Sequence, residues 1–255
     1  MSEKKFNNDV AIVTGAGQGI GFEICRQLAL QGAAVILNDI DRSLTSSAVE
    51  KIKEEGGNCI GLAGDAGDTN FINELVKLAI EKFGNLSIAI ANAGITLYAD
   101  FFDYTPGAFD KVMRLNLGGS FFLAQAAAKQ MKQQKTGGSI LFMSSVVGHQ
   151  AHKNLAAYAI TKAGIEMLAK NLVIELSPYN INVNAIAPGA TLTERTLDDK
   201  DYEKTWSRIT PLGKPASTID IANAALFLVS PQSRHITGQS LIIDGGWTSV
   251  SPSPY

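Results

Sequence analysis

The feature that most constrains this chain is a regular alternation of short apolar runs with longer stretches of helical periodicity. Seven runs predict strands: Val10–Val13, Ala34–Leu37, Ile60–Ala63, Ile88–Ala91, Ser139–Met143, Ile181–Ile186 and Ser240–Ile243. Helices are predicted between them, over residues 20–32, 43–55, 68–83, 109–134, 156–177 and 219–229. Strands separated by helices form parallel sheets with right-handed crossovers. The predicted fold is therefore α/β: one doubly wound, Rossmann-like domain over residues 1–255, with a seven-stranded parallel sheet and helices on both faces.

One irregular stretch interrupts this alternation, from Pro188 to Pro215. It combines a cluster of charged residues with Trp206 and lies between two ordered blocks. Long irregular segments inside compact domains usually serve function. We therefore interpret residues 189–215 as a flap within the domain.

Composition narrows the classes of partner. The 255 residues carry a formal net charge of −2, and 18% are charged, which gives no electrostatic reason to expect nucleic acid or an anionic membrane. No apolar stretch is long enough for a membrane span, and the polar start lacks a secretory pattern. Cys25 and Cys59 form no CxxC pair, and the three histidines lack a second ligand cluster. We expect a reduced, cytoplasmic protein without a catalytic metal.

A glycine-rich loop follows the first predicted strand directly, in the order Thr14-Gly15-Ala16-Gly17-Gln18-Gly19-Ile20-Gly21. Glycines let the backbone approach a diphosphate closely, and the helix that starts here points its free N–H groups at the anion. The spacing departs from G-x-G-x-x-G and instead fits G-x-x-x-G-x-G. Glycines also serve plain turns, but the strand–loop–helix context favours a dinucleotide site.

Asp39 ends the second predicted strand. A carboxylate there accepts hydrogen bonds from the ribose hydroxyls of the adenosine half and repels a 2′-phosphate. This favours NAD over NADP, although Asp41 and Arg42 keep a phosphate-tolerant site open. The other explanation for Asp39 is a solvated turn.

Tyr158 and Lys162 are four residues apart on a predicted helix, so their side chains share a face. A free phenol titrates near 10, and a neighbouring ammonium stabilises the phenolate and lowers that pKa, as a reversible acid/base residue requires. Ser144 and Ser145 follow a buried strand, where side chains face the ligand crevice. The Ser–Tyr–Lys combination is more informative than any member alone.

From about Asp9 to Gly246, the chain resembles the short-chain dehydrogenase/reductases. The matching motifs are TGxxxGxG at Thr14–Gly21, NAG at Asn92-Ala93-Gly94, a central-helix asparagine at Asn116, Ser145, YxxxK at Tyr158 and Lys162, and PG at Pro188-Gly189.

The resemblance implies roles for these positions. Tyr158 would exchange the proton with the substrate, Lys162 would lower its pKa and bind the nicotinamide ribose, and Ser145 would hold the substrate oxygen. Asn116 would help hold a water that links Lys162 to solvent. Implied cofactor contacts are Gly15, Gln18, Gly19, Ile20, Gly21, Asp39, Asp65, Ala66, Asn92, Ala93, Gly94, Tyr158, Lys162, Pro188, Gly189 and Thr191. Ser144 is the weaker candidate for the serine role.

The family's specificity lies before the tyrosine and in the flap, where this chain carries His149, His152 and Trp206. With Ser145, these polar groups favour a small sugar or polyol, although surface loops are polar by default. The reaction would interconvert a secondary alcohol and a ketone, or a sugar hemiacetal and a lactone. Alternatives are an NADPH-dependent 3-oxoacyl-[acyl-carrier-protein] reductase and a non-catalytic dinucleotide-sensing protein. The resemblance also implies a homotetramer, in which the tail from Trp247 to Tyr255 reaches a neighbouring subunit.

Overall fold

The computed structural model describes residues 4–251. Seven parallel strands form one sheet in the order β3-β2-β1-β4-β5-β6-β7. They are β1 (Val10–Val13), β2 (Ala34–Asp39), β3 (Asn58–Ala63), β4 (Ile88–Ala91), β5 (Gly138–Met143), β6 (Ile181–Pro188) and β7 (Ser240–Ile243). The predicted fold class and sheet are confirmed. The tail predicted to reach a neighbouring subunit, residues 247–255, falls outside the described residues beyond Ser251.

The α-helices are α1 (Gly19–Leu30), α2 (Arg42–Glu54), α3 (Thr69–Phe83), α4 (Pro106–Val112), α5 (Ser120–Gln134), α6 (Ala156–Leu176), α7 (Tyr202–Ile209) and α8 (Thr218–Val229). They cover the sheet on both faces and give it two cores. One core joins the sheet to α1, α2 and α8, and the other joins it to α3, α5 and α6. Strand residues alternate between them: Ala11 and Val13 face the first core, whereas Val10 and Ile12 face the second.

The strand order reverses between β1 and β4, both of which pair in parallel within the sheet. In open α/β sheets, ligands bind beyond the carboxyl ends of the strands at such a switch point. The glycine-rich loop follows β1, and Asn92-Ala93-Gly94 follows β4. The topology therefore places both motifs at one crevice.

The long helix predicted over residues 109–134 is wrong in its details. The helical stretch begins with α4 at Pro106, where Thr105 caps it through the N–H of Ala108, and residues Met113–Gly119 are a π-helical turn before α5 begins. Such turns inside α-helices occur often at functional sites. Here the turn carries Asn116.

The flap is also more ordered than an irregular segment. It contains a 3₁₀ turn, Glu194–Thr196, followed by helix α7. A parallel bridge from Thr191 to Ala216 ties the base of the flap to its return. In the edge strand β7, two apolar residues, Leu241 and Ile242, are 39% and 38% exposed.

Candidate active site

The glycine-rich loop is locked against the segment after β4. Gly15 has φ +61°, and a Cβ placed on it would lie 2.6 Å from the Cα of Ala93. A Cβ on Gly21 would lie 2.5 Å from Nδ2 of Asn92 and 2.6 Å from the carbonyl oxygen of Gly15. Asn92 donates from Nδ2 to the carbonyls of Thr14 (2.9 Å) and Gly15 (2.6 Å). A side chain at Gly15 or Gly21 would therefore collide with the neighbouring backbone or with the Asn92 amide that binds the loop.

The amino terminus of α1 suits an anionic group. Gln18 precedes the helix in an extended conformation, and no side chain caps the first-turn N–H groups that begin at Gly19 and Ile20. Such uncapped amides, together with the helix dipole, bind phosphate. Gly19 has φ +64°, and the atoms nearest to a Cβ there, 3.6 Å away, belong to Thr193 and Glu194 of the flap. The residues present therefore fit the diphosphate of a dinucleotide.

Asp39 holds the same loop from the β2 side. Its Oδ2 accepts a hydrogen bond from the N–H of Gly17 at 3.0 Å, and its Oδ1 accepts one from the N–H of Asp41 at 3.1 Å. A Cβ on Gly17 would press on this carboxylate, at 3.0 Å from Oδ2. Asp39 is thus part of the loop's own structure, a role that the sequence prediction missed, as well as a candidate for the ribose hydroxyls.

Asp65 and Ala66 lie after β3 and pack on the π-helical turn. Asp65 accepts from the N–H of Gly67 at 2.8 Å and pairs with Arg114 at 2.9 Å. Burial alone would raise the pKa of Asp65, but these contacts outweigh it and lower the pKa. A Cβ on Gly119 would lie 2.5 Å from the carbonyl oxygen of Ala66. The structure therefore fixes this segment, and its predicted contact with adenine stays a prediction.

Asn116 is fully buried, and its side chain hydrogen-bonds the backbone just beyond the NAG motif. Its Oδ1 accepts from the N–H of Ile95 and its Nδ2 donates to the Ile95 carbonyl, both at 2.9 Å. Its own carbonyl accepts from Oγ of Ser120 at 2.6 Å. A Cβ on Gly94 would lie 3.3 Å from Oδ1 of Asn116 and 3.6 Å from Nζ of Lys162. Asn116 thus borders the lysine, but its side chain is used to hold Ile95.

Lys162 is buried behind Tyr158 on α6. Its Nζ lies 5.3 Å from the centroid of the Tyr158 ring and donates to the carbonyl of Met143 at 2.6 Å. Burial, reinforced by the positive charge of Arg195 in the flap, lowers the pKa of Lys162 to about 8. The lysine is therefore a cation held at an energetic cost near neutral pH.

Tyr158 does not show the lowered pKa that its spacing to Lys162 predicts. Burial raises its pKa, while hydrogen bonding by Ser145 and Thr96 and the positive charge of Arg195 oppose the rise. The prediction considered only the charge of Lys162, whereas the groups that oppose the rise are Ser145, Thr96 and Arg195, and removal of the phenol from water outweighs them. Arg195 and Thr96 are contributors that the sequence prediction missed.

The two serines after β5 have different environments. Ser144 is buried, and its Oγ lies 2.6 Å from Oε1 of Glu166 and 3.0 Å from the carbonyl oxygen of Lys162. Ser145 is extended and accepts a 3.3 Å hydrogen bond from the N–H of Val147, and it is the serine that contributes to the Tyr158 pKa. This supports the preference for Ser145 over Ser144 as the serine beside the phenol.

The PG turn at the end of β6 is fixed by the last strand. The N–H of Gly189, next to Pro188, donates to the carbonyl of Ile243 at 2.9 Å, and a Cβ on Gly189 would lie 2.7 Å from that of Asp244. Thr191 is buried, donates from Oγ1 to the Gly189 carbonyl and donates its N–H to Oη of Tyr202. The base of the flap is therefore rigid.

The predicted substrate residues separate into two groups. His149 is turned toward Glu166, with Nε2 2.8 Å from Oε1, so that nitrogen is already engaged. His152 has no hydrogen-bond partner at its buried Nε2, and its ring centroid lies 5.1 Å from that of Trp247. Trp206 packs edge-on against Trp247 at 5.2 Å. Trp247, which the sequence prediction assigned to the C-terminal tail, also packs with Tyr158 against the Val146–Val147–Leu155 cluster.

The crevice at the switch point thus joins a helix terminus suited to an anion to a half-buried phenol with a buried lysine behind it. Hydride transfer is the cofactor's chemistry, and the protein supplies the proton carrier and the orientation. This combination defines the class: nicotinamide-dependent oxidoreductases that use a tyrosine for proton transfer.

Comparison with known proteins agrees with this class. A family model described as enoyl-(acyl carrier protein) reductase matches residues 15–248. An L-rhamnose 1-dehydrogenase (NAD(P)(+)) of Azotobacter vinelandii is 37% identical over 92% of this chain and 94% of its own length, and an L-rhamnose-1-dehydrogenase of Scheffersomyces stipitis is 36% identical over 94% and 96%. The 7alpha-hydroxysteroid dehydrogenase of Escherichia coli is 34% identical over 95% of each chain. A short-chain dehydrogenase/reductase structure from Mycobacterium marinum superposes with a TM-score of 0.91, at 29% identity over 96% and 98%.

The chain belongs to the short-chain dehydrogenase/reductase family. It is an enzyme that uses a nicotinamide cofactor and acts on CH–OH groups, and the alternative of a sensing protein without catalysis is set aside.

Proposed function

We propose that this enzyme oxidises a 6-deoxyhexose of the L-rhamnose type at its hemiacetal carbon, giving the lactone. The observation that carries the proposal is the His152–Trp247 pair, whose tryptophan packs against the same Val146–Val147–Leu155 cluster as Tyr158. The L-rhamnose dehydrogenases among its relatives support the same substrate class.

His152, Trp206 and Trp247 pack together and form an aromatic corner, which suits a sugar ring with one apolar end. Burial lowers the pKa of His152, which favours its neutral imidazole. Its Nε2 is buried and has no partner in the protein, so this nitrogen would bond a sugar hydroxyl once a side-chain movement on substrate binding exposes it. Trp206 and Trp247 offer apolar ring surfaces for the C–H groups and the methyl of a deoxysugar. Pockets of this kind combine an apolar wall with few oriented polar groups.

NAD is the proposed cofactor in preference to NADP. Both oxygens of Asp39 already accept backbone hydrogen bonds, which keeps the carboxylate fixed at the end of β2. A fixed anion accepts ribose hydroxyls and repels a 2′-phosphate. The relative from Azotobacter vinelandii is named for both cofactors, so the preference here is a matter of degree.

The chain's own residues define the proton path. Ser145 holds the substrate oxygen, and Tyr158 takes its proton. The Tyr158 pKa is raised by burial, so the phenol needs nearby positive charge to act as a base. Lys162 and Arg195 supply part of that charge, and an oxidised nicotinamide accepts the hydride and adds a further positive charge when bound. Asn116, although its side chain holds Ile95, keeps a second lone pair on Oδ1 and would use it to place a relay water between Lys162 and solvent.

A substrate panel tests this proposal. L-rhamnose and L-mannose, which differ only by the C6 hydroxyl, are compared with acetoin, a bile acid and a 3-oxoacyl thioester, each with NAD and NADP. We expect the highest kcat/KM for L-rhamnose with NAD, since the aromatic corner favours the methyl. Turnover confined to the bile acid would contradict the sugar assignment, and reduction of the thioester with NADPH would establish the acyl-carrier alternative.

We also propose a homotetramer located in the cytoplasm. Exposed apolar side chains on the long helices support assembly; they include Phe121, Phe122, Ile160, Met167 and Ile174. The alanines of α5 do not, because Ala124, Ala127 and Ala128 pack in the core. Among residues 4–251 no helix is long and apolar enough to cross a membrane. Sedimentation as a monomer at micromolar concentration would contradict the tetramer.

A further inference from the structure

A buried carboxylate, Glu166, lies one helical turn beyond Lys162 on α6. Glu166 is 9% exposed, and its Oε1 lies 2.6 Å from Oγ of Ser144 and 2.8 Å from Nε2 of His149. The Ser144 hydroxyl has one hydrogen and also lies near the Lys162 carbonyl; the shorter, charge-assisted contact to the carboxylate is the stronger. One carboxylate oxygen therefore accepts a hydrogen bond from Ser144 and also lies 2.8 Å from the ring nitrogen of His149.

These two side chains lie on either side of Ser145. The segment between them is tied to α6 at further points, because Lys162 donates to the carbonyl of Met143 at 2.6 Å. Gly148 packs so closely on the helix that an added Cβ would come within 3.1 Å of Oε1 of Glu166 and of the N–H nitrogen of Ala163. Residues 143–149 thus rest on one turn of α6, with Glu166 joining both ends.

Ser145 itself has little to hold it. Apart from its hydrogen bonding with Tyr158, its side chain has only the weak 3.3 Å contact from the N–H of Val147, so the position of its hydroxyl depends on the backbone on both sides. In catalysis a displacement of about 1 Å can cost about 100-fold in rate. A carboxylate that fixes both neighbours would preserve that position.

We propose that Glu166 is a positioning residue: by binding Ser144 and His149 it holds the Ser145 hydroxyl in register with Tyr158. Glu166 touches neither substrate nor cofactor in this account. The inference rests on the role proposed above for Ser145. It also reassigns His149 from a substrate contact to a support of the same segment.

The test uses Glu166→Gln, with Glu175→Gln as the matched control on the exposed face of the same helix. The rate is measured with whichever member of the substrate panel the wild type turns over fastest. We expect Glu166→Gln to lower kcat about 10- to 100-fold and to leave KM for NAD within about twofold. Glu175→Gln should match the wild type. An unchanged kcat in Glu166→Gln overturns the proposal.

A double-mutant cycle separates positioning from general loss of structure. If Glu166 acts through Ser145, Glu166→Gln should lower the rate no more than about twofold in a Ser145→Ala background. Equal losses in both backgrounds overturn the inference alone. A Ser145→Ala variant with wild-type rate instead removes the proposed role of Ser145, and this inference with it.

His149 provides a second variant that leaves the buried carboxylate in place. His149→Leu should lower kcat about 3- to 10-fold with unchanged KM for the sugar, and His149→Gln, which keeps a donor, should recover most of the rate. A raised KM with normal kcat would return His149 to the substrate site and overturn its positioning role. Amide hydrogen exchange gives a readout that needs no substrate: residues 145–149 should exchange faster in Glu166→Gln than in Glu175→Gln, and unchanged exchange overturns the proposal.

Discussion

The glycine-rich loop and the catalytic segment form two sides of one crevice, yet different forces shape them. In the loop, Gly15 and Gly21 have neighbours within 2.6 Å of where a Cβ would stand, so geometry is set by exclusion. In the segment from Met143 to Lys162, geometry is set by buried polar groups. Lys162 has its pKa lowered to about 8 and Tyr158 has its pKa raised, both first by burial.

The glycine-rich loop and the segment from Met143 to Lys162 differ in what they contribute to the stability of the fold. A loop without room for side chains is held by the same packing that stabilises the fold, and its binding function adds little cost. A buried ammonium such as that of Lys162 costs folding free energy, because a charged group loses its water. The two regions should therefore respond in opposite ways to substitution: stability and binding fall together in the loop, whereas stability and activity separate in the catalytic segment.

The largest expected effect is on rate, in Tyr158→Phe. The ring still fills its site, but the proton carrier is gone, so kcat should fall by about 10³-fold or more. Binding of NAD, measured by titration calorimetry, should stay within a few-fold of the wild type. A variant that keeps its rate would remove the phenol from the mechanism and leave the crevice as a nucleotide site.

Gly21→Ala should damage binding and stability together. The new methyl would meet Nδ2 of Asn92 at 2.5 Å and the Gly15 carbonyl at 2.6 Å. Overpacking of this kind costs about 1–3 kcal/mol of unfolding free energy, and the displaced loop should bind NAD more weakly. Gly107→Ala is the control, since nothing lies within 4 Å of its Cβ position. Urea denaturation compares the unfolding free energies of the two variants. Equal values would show that the loop shifts to accommodate the methyl group without loss of stability.

Lys162→Met should abolish turnover and stabilise the fold at neutral pH. A pKa lowered from 10.5 to about 8 corresponds to about 3 kcal/mol of burial cost, from which the lost bond to Met143 subtracts about 1 kcal/mol. Below pH 8 the lysine is protonated in both the folded and unfolded states, and the cost is fully present. Between about pH 8 and 10.5 the folded protein releases its proton first, so the wild type gains stability.

The advantage of Lys162→Met should therefore be largest at pH 7 and shrink as pH rises to 10. Unfolding measured at both pH values checks this. A variant less stable than the wild type at pH 7 would mean that the ammonium supports the fold, and the proposed contrast between the two regions would not hold.

The smallest effect is expected at Asp39, which stabilises the loop and is also the residue proposed to select NAD over NADP. Asp39→Asn keeps the size of the side chain and removes its charge, so the preference for NAD over NADP should fall about tenfold. Loss of the bond to the Gly17 amide should weaken both cofactors slightly. The ratio of kcat/KM values for the two cofactors measures this, and an unchanged ratio would assign selectivity to other groups.

Local patterns predicted much of the fold. Strands and helices follow from short-range periodicity, and parallel topology follows from their alternation, so the crevice and its glycine loop could be located in advance. The helix α7 in the flap was missed although a signal existed, since Tyr202, Trp206 and Ile209 recur at helical spacing. The surrounding charges hid that pattern.

Other features had no local signal. The π-helical turn at Asn116 depends on Ile95 and on the close packing of Gly119 against Ala66, which are distant in the sequence. Likewise, the spacing of Tyr158 and Lys162 predicted a lowered phenol pKa, whereas burial by surrounding elements reverses the direction.

The sequence by itself determined the order of strands and helices, the site of the dinucleotide loop and the Ser145–Tyr158–Lys162 set, because these depend on residue type and short-range spacing. Only the tertiary structure decided what Ser144 binds instead, where His149 and Glu166 meet, and how Trp247 packs with His152 and Trp206. Burial and hydrogen-bond partners arise from elements far apart in the chain, and spacing along one element carries no information about them.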